Sequence, residues 1–217
     1  MTARVGLPFV VAAPSGTGKT TVCRGVAARD PGIVFSVSHT TRPPRPGERD
    51  GADYHFVSEQ AFQRMVDAGE FLEHARYSGN RYGTSWAAIE KPLARGVDVL
   101  LEIETQGAAQ VRQRRADAHL IFLLPPSLVE LEARLRGRRT DSAEQIRLRL
   151  ETARREFGAA PLFEAFVVNE RVENTVDDVL AIIAAARRGE RGAIAERFGL
   201  ARARARLDPA LIAWLPS

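Results

Sequence analysis

The chain has 217 residues, 45% hydrophobic and 27% charged, which suits one sizeable core with small inserted modules rather than two independent domains. Nothing approaches the roughly 20 consecutive apolar residues of a membrane span, and the first apolar run has no signal-peptide layout, so a cytoplasmic protein without a membrane partner is expected. The formal net charge is +4, but residues 187–206 hold seven Arg against two Glu; the remainder is slightly acidic, and nucleic acid is not an expected partner.

In chain order, the apolar run at 7–12 predicts a buried strand. It leads into Ala13-Pro14-Ser15-Gly16-Thr17-Gly18-Lys19-Thr20 and then a helical pattern. Strand, glycine-rich turn and helix together predict a phosphate-binding loop. Gly16 and Gly18 let successive N–H groups point inward, Lys19 reaches the β- and γ-phosphates, and the Thr20 hydroxyl can ligate Mg²⁺. The usual pattern opens with Gly, so Ala13 requires a negative φ there. Cys23, the only cysteine, forms no internal disulfide and reads as a packed residue of the following helix.

Residues 36–86 interrupt any regular alternation. They are rich in Gly, Pro, Arg and Tyr, with short alternating segments, and read as an inserted, partly β module. Apolar runs at 97–103, 118–124 and 165–168 predict three more buried strands. The spacing of Leu128, Leu131 and Leu135, and of Val176, Val179, Leu180 and Ile183, predicts helices that cover them. The Arg-dense stretch from Arg134 to Asp141, followed by an amphipathic pattern over 142–157, reads as a lid and its helix. The result is an α/β fold with a doubly wound parallel sheet, whose ligands sit at the carboxyl ends of the strands. Ala201 to Arg206 alternates Ala with Arg and reads as a solvated face or one for an anionic partner. The end of the chain, with Trp214, is expected to dock on the core or on a partner subunit.

The phosphate loop is followed by Ser36-Val37-Ser38-His39-Thr40-Thr41-Arg42-Pro43-Pro44-Arg45-Pro46-Gly47-Glu48, then Asp53-Tyr54-His55-Phe56 and Gly79-Asn80-Arg81-Tyr82-Gly83-Thr84. Glu102-Ile103-Glu104-Thr105-Gln106-Gly107, Arg134-Leu135-Arg136-Gly137-Arg138 and Val167-Val168-Asn169 come next. This ordered set resembles the guanylate kinase family to about residue 186. The resemblance implies Mg²⁺-assisted transfer of a phosphoryl group from ATP to GMP, giving ADP and GDP, with dGMP open as a second acceptor. It divides the chain into core (1–36, 87–133, 158–188), GMP-binding module (37–86), lid and following helix (134–157) and basic tail (189–217).

By the same resemblance, Arg42, Arg45, Tyr54 and Tyr82 cradle the acceptor phosphate, a task suited to guanidinium forks and phenolic donors. Glu73 recognises guanine, with Ser38, Thr84 and Glu104 as further contacts. A carboxylate accepts from guanine N1–H and N2–H₂ but meets an acceptor at adenine N1, and such rejection is worth up to ~10⁴-fold. Residues 13–21, Thr21 included, bind ATP with Arg134 and Asn169 on the adenine side, and Lys19, Arg138 and Arg149 stabilise the phosphoryl group in flight. Glu102 closes an apolar run as a metal-holding acid does and joins Thr20 at Mg²⁺. The four histidines need no catalytic role, because the GMP phosphate is already an anionic nucleophile. Two other readings stand beside this one: a kinase for another small acceptor, and a non-catalytic guanylate-kinase-like module that binds phosphorylated protein segments. The lid reads Gly-Arg-Arg where Gly-Arg-Gly is common, and oligomeric state is left open.

Overall fold

The structure, a computed structural model, describes residues 4–77, 79–137 and 142–216. Strand β1 (Pro8–Ala12) leads through the phosphate loop into helix α1 (Lys19–Arg29) and the short strand β2 (Ile33–Phe35). The inserted stretch follows: β3 (His39–Thr40), β4 (His55–Phe56), α2 (Glu59–Asp67), β5 (Phe71–Tyr77) and β6 (Asn80–Ser85). Next come α3 (Trp86–Ala94), β7 (Asp98–Glu102), α4 (Thr105–Arg114), β8 (His119–Leu124), α5 (Leu128–Arg136) and α6 (Ala143–Phe157). A 3₁₀ turn at Ala160–Leu162 precedes β9 (Ala165–Val168), α7 (Val172–Arg187), α8 (Arg191–Phe198), α9 (Leu200–Arg204) and α10 (Pro209–Ile212).

Five strands form a parallel sheet in the order β2-β7-β1-β8-β9, with Val10 opposite Leu101 on one side and Leu120 on the other. Strands buried on both faces carry continuous apolar runs, which is why four of the five are legible in the sequence. Phe9, Val11, Leu100, Ile121, Leu123 and Val167 pack against α1 and α7, where Cys23 is fully buried. Val10, Ala12, Leu101, Phe122 and Val168 pack on the opposite face with residues of α3 and α4. Fully buried Asp98, at the start of β7, accepts from Leu7 N (2.7 Å), Arg4 Nη2 (2.5 Å) and Arg187 Nε (2.7 Å). This ties both ends of the core together.

The inserted stretch builds a second sheet, β4-β3-β6-β5, in which β3 runs parallel to β4 and β6 runs antiparallel to β3 and β5. Phe62 of α2 stacks on Phe71 of β5 with ring centres 4.5 Å apart, so this helix closes the outer face. Ser58 caps α2 and Ser85 caps α3, each accepting from the amide three residues on, at 3.1 and 3.3 Å.

The basic tail is a folded strap. Ile194 and Phe198 join the α1–α7 side of the core, whereas Ala203, Leu207, Leu211 and Leu215 join the α3–α4 side, so the chain passes around strand β9. Trp214 docks within the same chain, its ring 5.6 Å from that of Phe157. Arg202 and Arg206 face solvent while Ala203 between them is buried, and Arg206 pairs with Glu170 at 3.2 Å.

Candidate active site

The phosphate loop sits at the carboxyl end of β1. Ala13 is only 2% exposed, with its methyl in the core beside α1. Thr17 N donates to Pro14 O at 3.2 Å, closing the turn. Gly16 and Gly18 have φ of +89° and +91°, conformations that L side chains rarely adopt. Gly18 brings no side chain to the first amides of α1, which suits an anion there, and Thr21 lies exposed in that same turn.

Lys19 Nζ donates to Ile103 O and Glu104 Oε1, both at 2.9 Å. Burial alone would depress its ammonium, but the carboxylates of Glu104 and Glu102 outweigh that and hold it above its ordinary value, fully charged. Thr20 Oγ1 donates to Glu102 Oε1 at 2.5 Å, so a hydroxyl and a carboxylate oxygen converge at the end of β7. Such a pair fits Mg²⁺, which takes one or two protein oxygens and completes its shell with substrate phosphates and water. Ser15 N donates to Glu156 Oε2 of α6 at 3.0 Å. Burial and the nearby Glu104 push the Glu156 carboxyl up.

On the acceptor side, Arg42 Nη2 spans both oxygens of Glu48 at 2.8 and 3.0 Å, and Glu48 Oε2 also accepts from Arg45 N at 2.7 Å. The Arg42 guanidinium lies 5.5 Å from the Tyr54 ring centre, and Tyr54 meets Tyr82 edge-on at 6.0 Å. Arg42, Tyr54 and Tyr82 are thus together, with Arg45 exposed at the rim. Glu73 faces Thr84 across the β5–β6 ladder, and Thr84 Oγ1 lies 3.1 Å from Ser38 Oγ. Glu73 is 3% exposed and its carboxyl is pushed up to about 7. Burial is the main cause, opposed by the Thr84 side chain and amide, with Glu104 adding to the rise and Lys19 lowering it. Glu104 therefore stands between Lys19, which it grips, and Glu73, whose charge it opposes.

On the donor side, Asn169 is buried: its Nδ2 donates to Thr17 O at 2.7 Å and its Oδ1 accepts from Thr175 Oγ1 at 2.9 Å. Arg134 donates to Thr17 O (3.3 Å), Asn169 O (2.9 Å) and Glu130 Oε1 (2.8 Å). Both side chains brace the loop from outside. Arg149 lines a cleft of about 630 Å³ between β5 and α6, with Arg76, Tyr77, Glu104 and Glu156 among its walls. A volume of this order is typical of small-molecule sites. Arg138 lies outside the described residues.

Three residues of this site escape a reading of spacing alone. Glu48 orders Arg42 and Arg45, its two oxygens sharing Arg42 Nη2 and one of them accepting from the Arg45 amide. Gly107 leaves room for the Glu73 carboxylate, because a Cβ there would fall 2.3 Å from Glu73 Oε2. Glu156 holds the Ser15 amide. The one sequence signal that could have found any of them is Glu48, an acid within a few residues of two arginines.

Similarity to known proteins agrees with this geometry. The guanylate kinase family model matches residues 6–186. The chain is 50% identical over 182 residues to the guanylate kinase of Aromatoleum aromaticum, covering 84% of this chain and 89% of that one. It is 51% identical over 176 residues to that of Thermobifida fusca, covering 81% and 90%. A crystal structure of guanylate kinase from Anaplasma phagocytophilum superposes with a TM-score of 0.67 at 35% identity, covering 84% of this chain and 87% of that one. With its core, loop and inserted sheet all inside the matched span, the chain belongs to the guanylate kinase family.

Proposed function

We infer that the chain is an enzyme that transfers the γ-phosphoryl group of ATP to GMP, giving ADP and GDP. Family membership carries the activity, and the observation in the site that supports it most is Glu73, a nearly inaccessible carboxylate set beside Thr84 and Ser38. The acceptor phosphate meets Arg42, Arg45, Tyr54 and Tyr82, while Glu73, Ser38, Thr84 and Glu104 read the base. Residues 13–21 cradle the donor phosphates. Lys19, Arg149 and Arg138 neutralise charge as the phosphoryl group passes, and Arg134 and Asn169 hold the loop on the adenine side. Thr20 and Glu102 would hold Mg²⁺, which when bound would supply charge neutralisation on the donor phosphates. The phosphoryl transition state is loose, so positioning and cationic donors suffice and no general base is needed.

The segment 37–86 acts as the GMP module, moving against the core to exclude water from the γ-phosphate, with 134–157 as the lid. Use of dGMP is compatible with these roles. The non-catalytic binding module is not favoured: Lys19, Thr20 and Glu102 are present and assembled. Among the described residues no helix is long and apolar enough to cross a membrane, and the cytoplasm is the proposed location. The test is ADP formation from Mg·ATP with GMP, AMP, CMP, UMP or no acceptor. Activity is expected with GMP alone; equal activity with AMP, or with no acceptor, would overturn the assignment.

A further inference from the structure

The strap formed by residues 189–216 lies beyond the span matched by the family, and the reaction just described gives it no task. We propose that Trp214 of this strap is a positioning residue for the donor half of the site, holding α5 and α6 in the register that keeps the phosphate loop in shape. The inference rests on the donor-side roles proposed above.

The strap is anchored where α5 begins. Asp208 N donates to Pro126 O, in the connection from β8 to α5, at 3.2 Å, and Arg204 bonds Pro216 O across the strap. Leu211 is fully buried and Leu215 7% exposed, both in the core on the α3–α4 side. Trp214 reaches further. Its ring meets Phe157, at the end of α6, nearly perpendicularly (86°), an edge-to-face geometry that aromatic pairs favour. It also packs against the cluster of Leu131 and Leu135 from α5 with Ala153 from α6, to which Ile146 and Leu150 add partly buried surface. That cluster is small, and one indole is a large share of what joins the two helices.

The same pair of helices touches the phosphate loop at three places. Leu135 sits over Gly16, where an added Cβ would fall 2.8 Å from Leu135 Cδ2. Arg134 bonds Thr17 O, and Glu156 accepts from Ser15 N. Any shift of α5 relative to α6 is therefore passed to the loop at Ser15, Gly16 and Thr17. The acceptor cradle does not depend on this route, since Arg42, Tyr54 and Tyr82 are held by Glu48 and by one another.

The test compares full-length wild type, Trp214→Ala and Trp214→Phe. Initial rates are measured against ATP and against GMP, together with the Kd of each nucleotide by calorimetry. For Trp214→Ala, the KM and Kd for ATP are expected to rise about tenfold and kcat to fall several-fold, while the Kd for GMP stays within about twofold; Phe, which keeps an aromatic edge, recovers most of the loss. Amide exchange in α5 and α6 is expected to speed up while β1 and β8 stay protected. A folded Trp214→Ala protein with unchanged ATP parameters overturns the proposal, as does an equal loss of ATP and GMP binding. If the alanine variant does not fold, Trp214→Leu carries the same expectations. A wild type that binds ATP without phosphorylating GMP would sink the kinase assignment, and the ATP Kd ratio would still decide this one.

Discussion

If Glu73 reads the guanine as proposed, exchanging it for Gln removes a protein group whose ionisation changes when GMP arrives. In the free protein its carboxyl is pushed up to about 7, mainly by burial. Guanine N1–H and N2–H₂ both donate, so the bound carboxylate must be charged. GMP binding therefore expels from this site about half a proton at about pH 7, about nine-tenths at about pH 6 and about one-tenth at about pH 8. Affinity is complete above the free-state pKa and falls as pH drops through it, approaching tenfold per unit below about pH 6. The GMP phosphate also titrates near ~6, so the variant supplies the baseline and only the difference from wild type belongs to Glu73. The assay is calorimetry at the three pH values in two buffers of different ionisation enthalpy. Stability shifts the other way. A carboxyl raised from 4.5 to about 7 binds more protons folded than unfolded across that window, so the free protein loses about 3 kcal/mol as pH climbs through it. Glu73→Gln is accordingly expected to melt above wild type at about pH 8 without ligand. Identical proton counts and pH profiles in wild type and variant would refute the argument.

Gly107→Ala drives a methyl to 2.3 Å from Glu73 Oε2 and is expected to raise the KM for GMP by about tenfold or more with little change for ATP; equal effects on both would mean the clash is relieved elsewhere. Glu48→Gln weakens the charge-assisted, bifurcated hold on Arg42 Nη2 and is expected to weaken GMP about tenfold, read by calorimetry, with kcat at saturating GMP less affected. Asn169→Ala removes the shorter of two bonds to Thr17 O, leaving Arg134, and one of the two partners of the Thr175 hydroxyl, leaving Arg171 O; it is expected to cost about 1 kcal/mol in a urea titration and to raise the KM for ATP.

The central sheet and the phosphate loop were readable because their signals are local: apolar runs for strands buried on both faces, and glycines at fixed offsets from Lys19. β2 was not, since Ile33–Phe35 is only three residues long with Val34 exposed. Arg42, Tyr54, Glu73 and Tyr82 stood out only in combination with the family pattern, because each alone resembles a solvated side chain. Gly107 and Glu156 act on residues far away in the chain, Glu73 and Ser15, and no periodicity reports such a contact. In the tail, the docking of the end around Trp214 and the exposure of Arg202 and Arg206 followed from the sequence, whereas the burial of Ile194 and Phe198 in a segment dominated by arginine did not.

Three donors of the phosphate loop are already engaged: Ser15 N by Glu156, Lys19 by Glu104 and the Thr20 hydroxyl by Glu102. On the proposed roles, loading of ATP is expected to be an exchange of partners at Ser15 N and Lys19, with phosphate oxygens replacing the Glu156 and Glu104 carboxylates, rather than a gain of wholly new bonds. The same exchange is expected in reverse when ADP departs, because Glu156 and Glu104 are at hand to take back the Ser15 amide and Lys19. Departure of product limits turnover in many enzymes, so a nucleotide site that carries its own replacement anions exchanges some affinity for speed and stays ordered between cycles.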